Sequence, residues 1–313
     1  MTGADGQTPL TSVFQKPNEK IVQLLVEYGV DVNMSEKFGH TPLTAACFAG
    51  NERIVHLLIE NNADVDMTDE DGNIPLTAAC YGGNERIVKI LLKNKAGVIM
   101  TDEYEKTPLL IACQEQNKKI VQLLVEHGVG VNTAGKYKNT PLTAACYADN
   151  ERIVQIMVEN KADVNRTDEE GNTPLIIACQ KQNENILLLE YGVDLQKAGK
   201  YGDTPLTTAC NEGNERIVQI LIENKSEVNM ADGHGQTPLA IADKKQNENI
   251  VQILVEYGIR ANKEGQSGDT LLTTACQEGY IRIVQILIEK RVDVNKTDKL
   301  LADTSGSCLS GKQ

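Results

Sequence analysis

Tryptophan is absent from this chain of 313 residues, which has only three phenylalanines, nine tyrosines and four histidines. Every aromatic position therefore carries information. The histidines His40, His56, His127 and His234 share no spacing that would bring ligands to one metal ion, and no catalytic constellation forms around them. Long apolar runs are missing too. No stretch approaches the roughly 20 residues that span a bilayer, and Met1 to Leu10 lacks a basic start and an apolar core, so no secretory leader is expected. Basic charge is outweighed, 31 Lys and Arg against 44 Asp and Glu, a net of −13. That argues against nucleic acid and anionic membranes as partners, since both demand clustered Lys and Arg. The bland reading of the acid excess is a solvated surface; a basic partner is the alternative.

What is present is repetition. Thr140-Pro141-Leu142-Thr143-Ala144-Ala145-Cys146 recurs with small changes nine times. The copies open at Thr8, Thr41, Ile74, Thr107, Thr140, Thr173, Thr204, Thr237 and Thr270, which define repeats one to nine. The step is 33 residues except for 31 between Thr173 and Thr204. A fixed period in this range marks a solenoid, whose units bury their apolar faces against their neighbours. A single core of this size would be unusually large, whereas an array grows along one axis.

Within a repeat, Thr then Pro reads as an N-cap and the first helical position. The first helix is expected over Pro141 to about Tyr147. Asn150, matched by Asn in eight of nine repeats, caps a second helix, with acidic Glu151 near its positive end. Tyr280 is the exception, so the last repeat should start its second helix less firmly. Ile153, Val154, Ile156 and Met157 form a buried stripe. The segment Asp163 through Asn172 is polar and turn-rich, suiting an extended finger.

Cys47, Cys80, Cys113, Cys146, Cys179, Cys210 and Cys276 all stand six residues after the repeat start. Neighbouring equivalents should lie about 8–10 Å apart, the helix packing distance. Disulfides need Cα atoms closer than about 7 Å, and zinc needs converging ligands. The cysteines therefore read as small buried apolar residues, and free thiols point to a reducing, intracellular, cytoplasmic setting.

Two helices, a turn-rich finger and the Thr-Pro-Leu opening resemble the ankyrin repeat, over residues 1 to about 299. The resemblance implies a mainly α fold: an α-solenoid of helix-turn-helix units with hairpin-like finger loops, its first and last repeats acting as caps. Residues 300–313 would be a short, flexible tail. The family pattern has His as the fourth residue of its opening. Here that place holds Thr44, Thr77 or Thr143 and their equivalents, or apolar Leu110, Ile176 and Ala240. Thr could replace some of the bonds that His gives to neighbouring fingers; the apolar residues could not.

The repeats also alternate. Gly29, Gly128, Gly192 and Gly258 can end a second helix in the left-handed conformation. Asn62, Lys95, Lys161, Lys225 or Arg291 stands there in the other type, at some strain. The sixth repeat is two residues short inside Asn185 to Glu190, which predicts a shortened second helix and, from either alignment, a polar residue in a core slot.

No cofactor or metal is expected. Gly233-His234-Gly235 resembles half a phosphate loop but precedes Thr237-Pro238 in an ordinary finger. As a family, ankyrin proteins bind partners along the concave side, through finger tips and the ends of first helices. Phe38, Tyr104, Tyr137 and Tyr201 fall on the tips, and Phe48, Tyr81 and Tyr147 on the helix ends. Exposed aromatics on one face are the composition of an interface hot spot; packing on adjacent fingers is the structural alternative. Glu105 and Lys138 replace the finger Gly seen at Gly72 and Gly171, so strain is expected there. Glu70, Glu103, Lys136 and Lys138 would orient a partner of matching charge. The expectation is a monomeric, non-enzymatic scaffold that binds a protein, without nucleic acid or membrane insertion. A spacer without a dedicated ligand is the second reading. An enzyme would need a hidden pocket at repeat six.

Overall fold

A computed structural model describes residues 8–15, 18–35, 39–263, 272, 275–276 and 279–290. Phe38, Arg291, the tail 300–313 and most of repeat nine lie outside them. The chain divides into two compact bodies, Met1–Glu169 and Glu170–Gln313. Among the described residues there is no strand, and no helix is long and apolar enough to cross a membrane.

In the first body, repeats two to five each begin with a seven-residue helix: Pro42–Phe48, Pro75–Tyr81, Pro108–Gln114 and Pro141–Tyr147. The expected start is observed. Thr140 is extended, and its Oγ1 accepts the Thr143 amide at 3.1 Å, with Pro141 supplying the first helical φ. Ile74 offers no such acceptor. Thr143 returns its own hydroxyl to the Thr140 carbonyl at 2.9 Å, as Thr44 does to Thr41. The Thr that stands in the family's His place thus bonds within its own repeat.

Second helices of nine residues follow, among them Glu52–Glu60, Glu85–Lys93, Lys118–Glu126 and Glu151–Glu159. Ile153, Val154, Ile156 and Met157 are buried, as their spacing predicts. First helices pack on the first helices of neighbouring repeats, and second on second. The Asn caps are only partly realised. Asn18 and Asn150 accept amides of the first turn, whereas Asn51, Asn84 and Asn117 make no side-chain cap bond. Asn84 instead donates its Nδ2 at 3.0 Å to the Cys47 carbonyl at the end of the preceding repeat's first helix, an acceptor it shares with the Gly50 amide at 3.2 Å.

The left-handed positions behave as expected. Gly29 and Gly128 have φ of 79° and 77°, and Asn62, Lys95 and Lys161 adopt 64°, 62° and 65° without being glycine. Amide side chains clamp two of these turns. Asn33 Nδ2 donates to the Asn62 carbonyl at 3.3 Å while its Oδ1 accepts the Asp64 amide at 2.8 Å, and Asn132 does the same at Lys161 and Asp163.

The second body repeats the scheme with one defect. Repeat six has its first helix, Pro174–Lys181, but no α-helix follows. Two 3-10 turns, Glu184–Ile186 and Leu189–Tyr191, flank Leu188, whose φ is 57°. The expected shortening is real; the expected polar residue in the core is not. By turning left-handed at Leu188 the backbone buries Ile186, Leu187 and Leu188 in succession. Gly258 corrects another expectation: the helix Glu248–Lys263 runs straight through it. The following Ile259-Arg260-Ala261 favours helix more than the Val-Asp or Val-Gly after the other glycines. Tyr280 gives no side-chain cap bond to Ile281–Glu289, as expected.

Cys47, Cys80, Cys113, Cys146, Cys179 and Cys210 are buried free thiols, and Cys276 is exposed. Burial raises the pKa of the six buried thiols, that of Cys210 to about 12. They are packing residues rather than nucleophiles.

Candidate functional site: the finger-side face of the first body

The fingers before Ile74, Thr107, Thr173 and Thr237 each carry one aspartate, Asp69, Asp102, Asp168 or Asp232, five residues ahead of the opening. Asp102 is buried; its Oδ1 accepts the amides of Tyr104 and Lys106 at 2.9 and 2.8 Å, closing the turn. Its Oδ2 accepts the hydroxyl of Tyr81, at the end of the same repeat's first helix, at 2.7 Å. Tyr147 donates to Asp168 in the same way at 2.6 Å. Phe48 has no hydroxyl, and there His40 Nδ1 meets Asp69 Oδ2 at 2.7 Å. The helix-end aromatics therefore pin the next finger, which locates part of their role inside the chain. Burial and then the Asp102 bond raise the Tyr81 phenol far above its usual range.

His40, Phe48 and Tyr81 nevertheless form a run of neighbouring rings. His40 lies 5.0 Å from Phe48 at 44°, and Phe48 stacks on Tyr81 at 6.2 Å and 22°. The fingertip rings are open to solvent: Tyr104 is 50% exposed and Tyr137 54%. Between repeats two and three lies a recess of about 690 Å³, lined by Phe48, Tyr81, Tyr104, Glu103, Asp71 and Asp102, with Asn73 and Gly82. Lys106 places its Nζ over the Tyr81 and Tyr104 rings, at 5.9 and 5.8 Å from their centroids. The Glu103 carboxylate, by hydrogen bond, holds the Tyr104 phenol above its usual range.

Of the residues expected in the site, Phe48, Tyr81, Tyr104 and Glu103 thus meet in one recess. Glu70, Lys136, Tyr137 and Lys138 are exposed but stand outside its lining, and Tyr147 sits at the end of its own helix beside Asp168. Tyr201, 62% exposed, belongs to the second body. The strained fingertips are observed, with φ of 56° at Glu105 and 55° at Lys138. Both tips therefore hold a conformation that glycine adopts freely at Gly72 and Gly171.

His40, Asp69 and Asp71 each bring one ligand atom within 4.8 Å of the others. Asp69 Oδ1 already accepts the Asn73 amide at 2.7 Å and Oδ2 the His40 ring, so fastening of the finger accounts for the cluster without an ion.

Known proteins carry the same design. The family described as ankyrin repeats (3 copies) matches residues 1–69, 50–135, 76–168, 129–198, 160–232, 185–264 and 209–298. The chain belongs to the ankyrin-repeat family. No curated protein matches it. Among solved structures, the ankyrin repeat domain of Bcl-3, a unique member of the IkappaB protein family, aligns at a TM-score of 0.62 and 23% identity. It covers 70% of this chain and 99% of its own. The human ASB11 ankyrin repeat domain aligns at 0.62 and 25%, covering 70% and 98%. These likenesses concern the fold.

Sequence reasoning about this ankyrin chain missed His40, Asp102 and Lys106. A signal for Asp102 existed. The fifth residue before the opening is Asp where the preceding repeat ends its first helix in Phe or Tyr, as with Phe48 and Asp69, Tyr81 and Asp102, and Tyr147 and Asp168. It is Gly135 and Gly199 where the place of that aromatic, seven residues after the opening, holds Gln114 and Gln180, but Glu36 where it holds Gln15.

Proposed function

We propose that this protein is a non-enzymatic scaffold that binds a protein partner through the finger-side face of repeats two to five. The observation that carries this reading is the half-exposed pair Tyr104 and Tyr137, held on finger turns strained at Glu105 and Lys138. Large, rigid rings on braced turns present apolar area at little entropic cost, the usual make-up of a hot spot. Free, buried thiols suit work in a reducing compartment such as the cytoplasm. The array 1–299 would be the binding module and 300–313 an appended tail.

Capture from extract of the source cell, comparing wild type with Tyr104→Ala/Tyr137→Ala, tests the face. The double variant should lose a partner that wild type retains; equal recovery by the folded variant removes the site. Tyr147 is left intact because its hydroxyl supports Asp168. The spacer reading draws on the internal bonds of Tyr81 and Tyr147, and it gains if no partner survives washing in either case.

A further inference from the structure

Two of the rings that line the recess between repeats two and three, Tyr81 and Tyr104, already hold a cation. The Lys106 ammonium sits at 5.9 and 5.8 Å from two tyrosine rings that converge on it. Ring faces attract cations within about 6 Å. The same recess is lined by three carboxylates: buried Asp102 and exposed Asp71 and Glu103. Asp102 is engaged by the Tyr81 hydroxyl and by two amides. The mouth therefore carries the negative charge of Asp71 and Glu103 against one ammonium. Phe48 adds an apolar wall to the same space. A recess of about 690 Å³ has room for more than a lysine tip.

We propose that the partner inserts a basic side chain, arginine or lysine, into this recess and displaces Lys106 from the two rings. The proposal rests on the finger-side face being the binding surface. A planar guanidinium stacks on tyrosine and pairs with carboxylates at once, and the methylene stem of either basic residue packs on an apolar wall. Acidic Asp71 and Glu103 favour approach of a positive segment and disfavour a negative one. Lys106 hangs on a long flexible stem, so it acts as a tethered competitor that keeps the rings covered until a partner arrives.

The probe is an acetylated, amidated tetra-arginine peptide titrated into the isotope-labelled full chain, with tetra-glutamate as its opposite. Amide shifts should centre on Phe48, Tyr81 and Glu103 to Lys106 with arginine and stay flat with glutamate. Lys106→Met, which keeps a stem and removes the charge, should tighten arginine binding about two- to fivefold. Tyr104→Leu should weaken it by a similar factor, whereas Tyr201→Leu, on a finger of the second body, should change nothing. Shifts spread over the acidic surface, unmoved by Lys106→Met and Tyr104→Leu, would overturn the proposal. So would tetra-glutamate binding that Lys106→Met abolishes. If neither peptide binds while partner capture still depends on Tyr104 and Tyr137, the binding face stands and the cation seat falls. Arginine binding as described, with no Tyr104-dependent capture, supports the seat and removes the scaffold.

Discussion

Asp102 works in two directions: one oxygen closes its own finger, and the other ties that finger to the first helix of its repeat through Tyr81. Buried acceptors of this kind are stabilising only while every donor is in place, since a lost partner leaves the desolvation penalty behind. The converse case sits in repeat seven. Ser226 occupies the place that Ala63, Ala96 and Ala162 fill elsewhere, and its Oγ is buried with no hydrogen-bond partner. An unsatisfied hydroxyl costs about 1–3 kcal/mol. Ser226→Ala should therefore raise stability by about 1 kcal/mol, read as a higher urea midpoint at unchanged slope. A lower midpoint would mean that the hydroxyl is bonded after all.

Helices here depend on neighbours more than on propensity, and repeat six shows what happens when spacing fails. Its Asn183-Glu184-Asn185-Ile186 matches Asn247-Glu248-Asn249-Ile250, but Val251-Gln252 has no counterpart before Leu187. Without those two residues the chain still reaches the turn at Gly192, and it does so through two 3-10 turns and a left-handed Leu188. Restoring Val-Gln after Ile186 should turn 184–190 into a continuous α-helix, with stronger far-UV helical ellipticity and slower amide exchange. In the native chain, exchange over 183–192 should be markedly faster than over 150–161, where an intact nine-residue helix stands. Equal protection in those two windows would mean that packing of Ile186, Leu187 and Leu188 compensates for the lost ladder.

At the level of the molecule, the period of 33 made helix limits legible almost to the residue, because Thr-Pro and the repeated apolar stripe are local signals. Pro141–Tyr147 and Glu151–Glu159 are the two helices their pattern implies. The fingertip rings were legible as a face for the same reason. The recess was not, because its chemistry depends on pairs 21 residues apart and on where the flexible Lys106 stem comes to rest. Gly258 misled because a residue that permits a helix end does not impose one. Two compact bodies built from nearest-neighbour contacts also bear on how the chain unfolds. Leu109 in the first body and Leu221 in the second are wholly buried. Replacing either with alanine should cost about 2–5 kcal/mol. In a nearest-neighbour array that loss stays close to its source. Exchange measured segment by segment in low urea should then show Leu221→Ala opening 205–255 while 75–126 keeps its protection, and Leu109→Ala doing the reverse. Equal loss in both segments from either substitution would mean that the two bodies unfold as one.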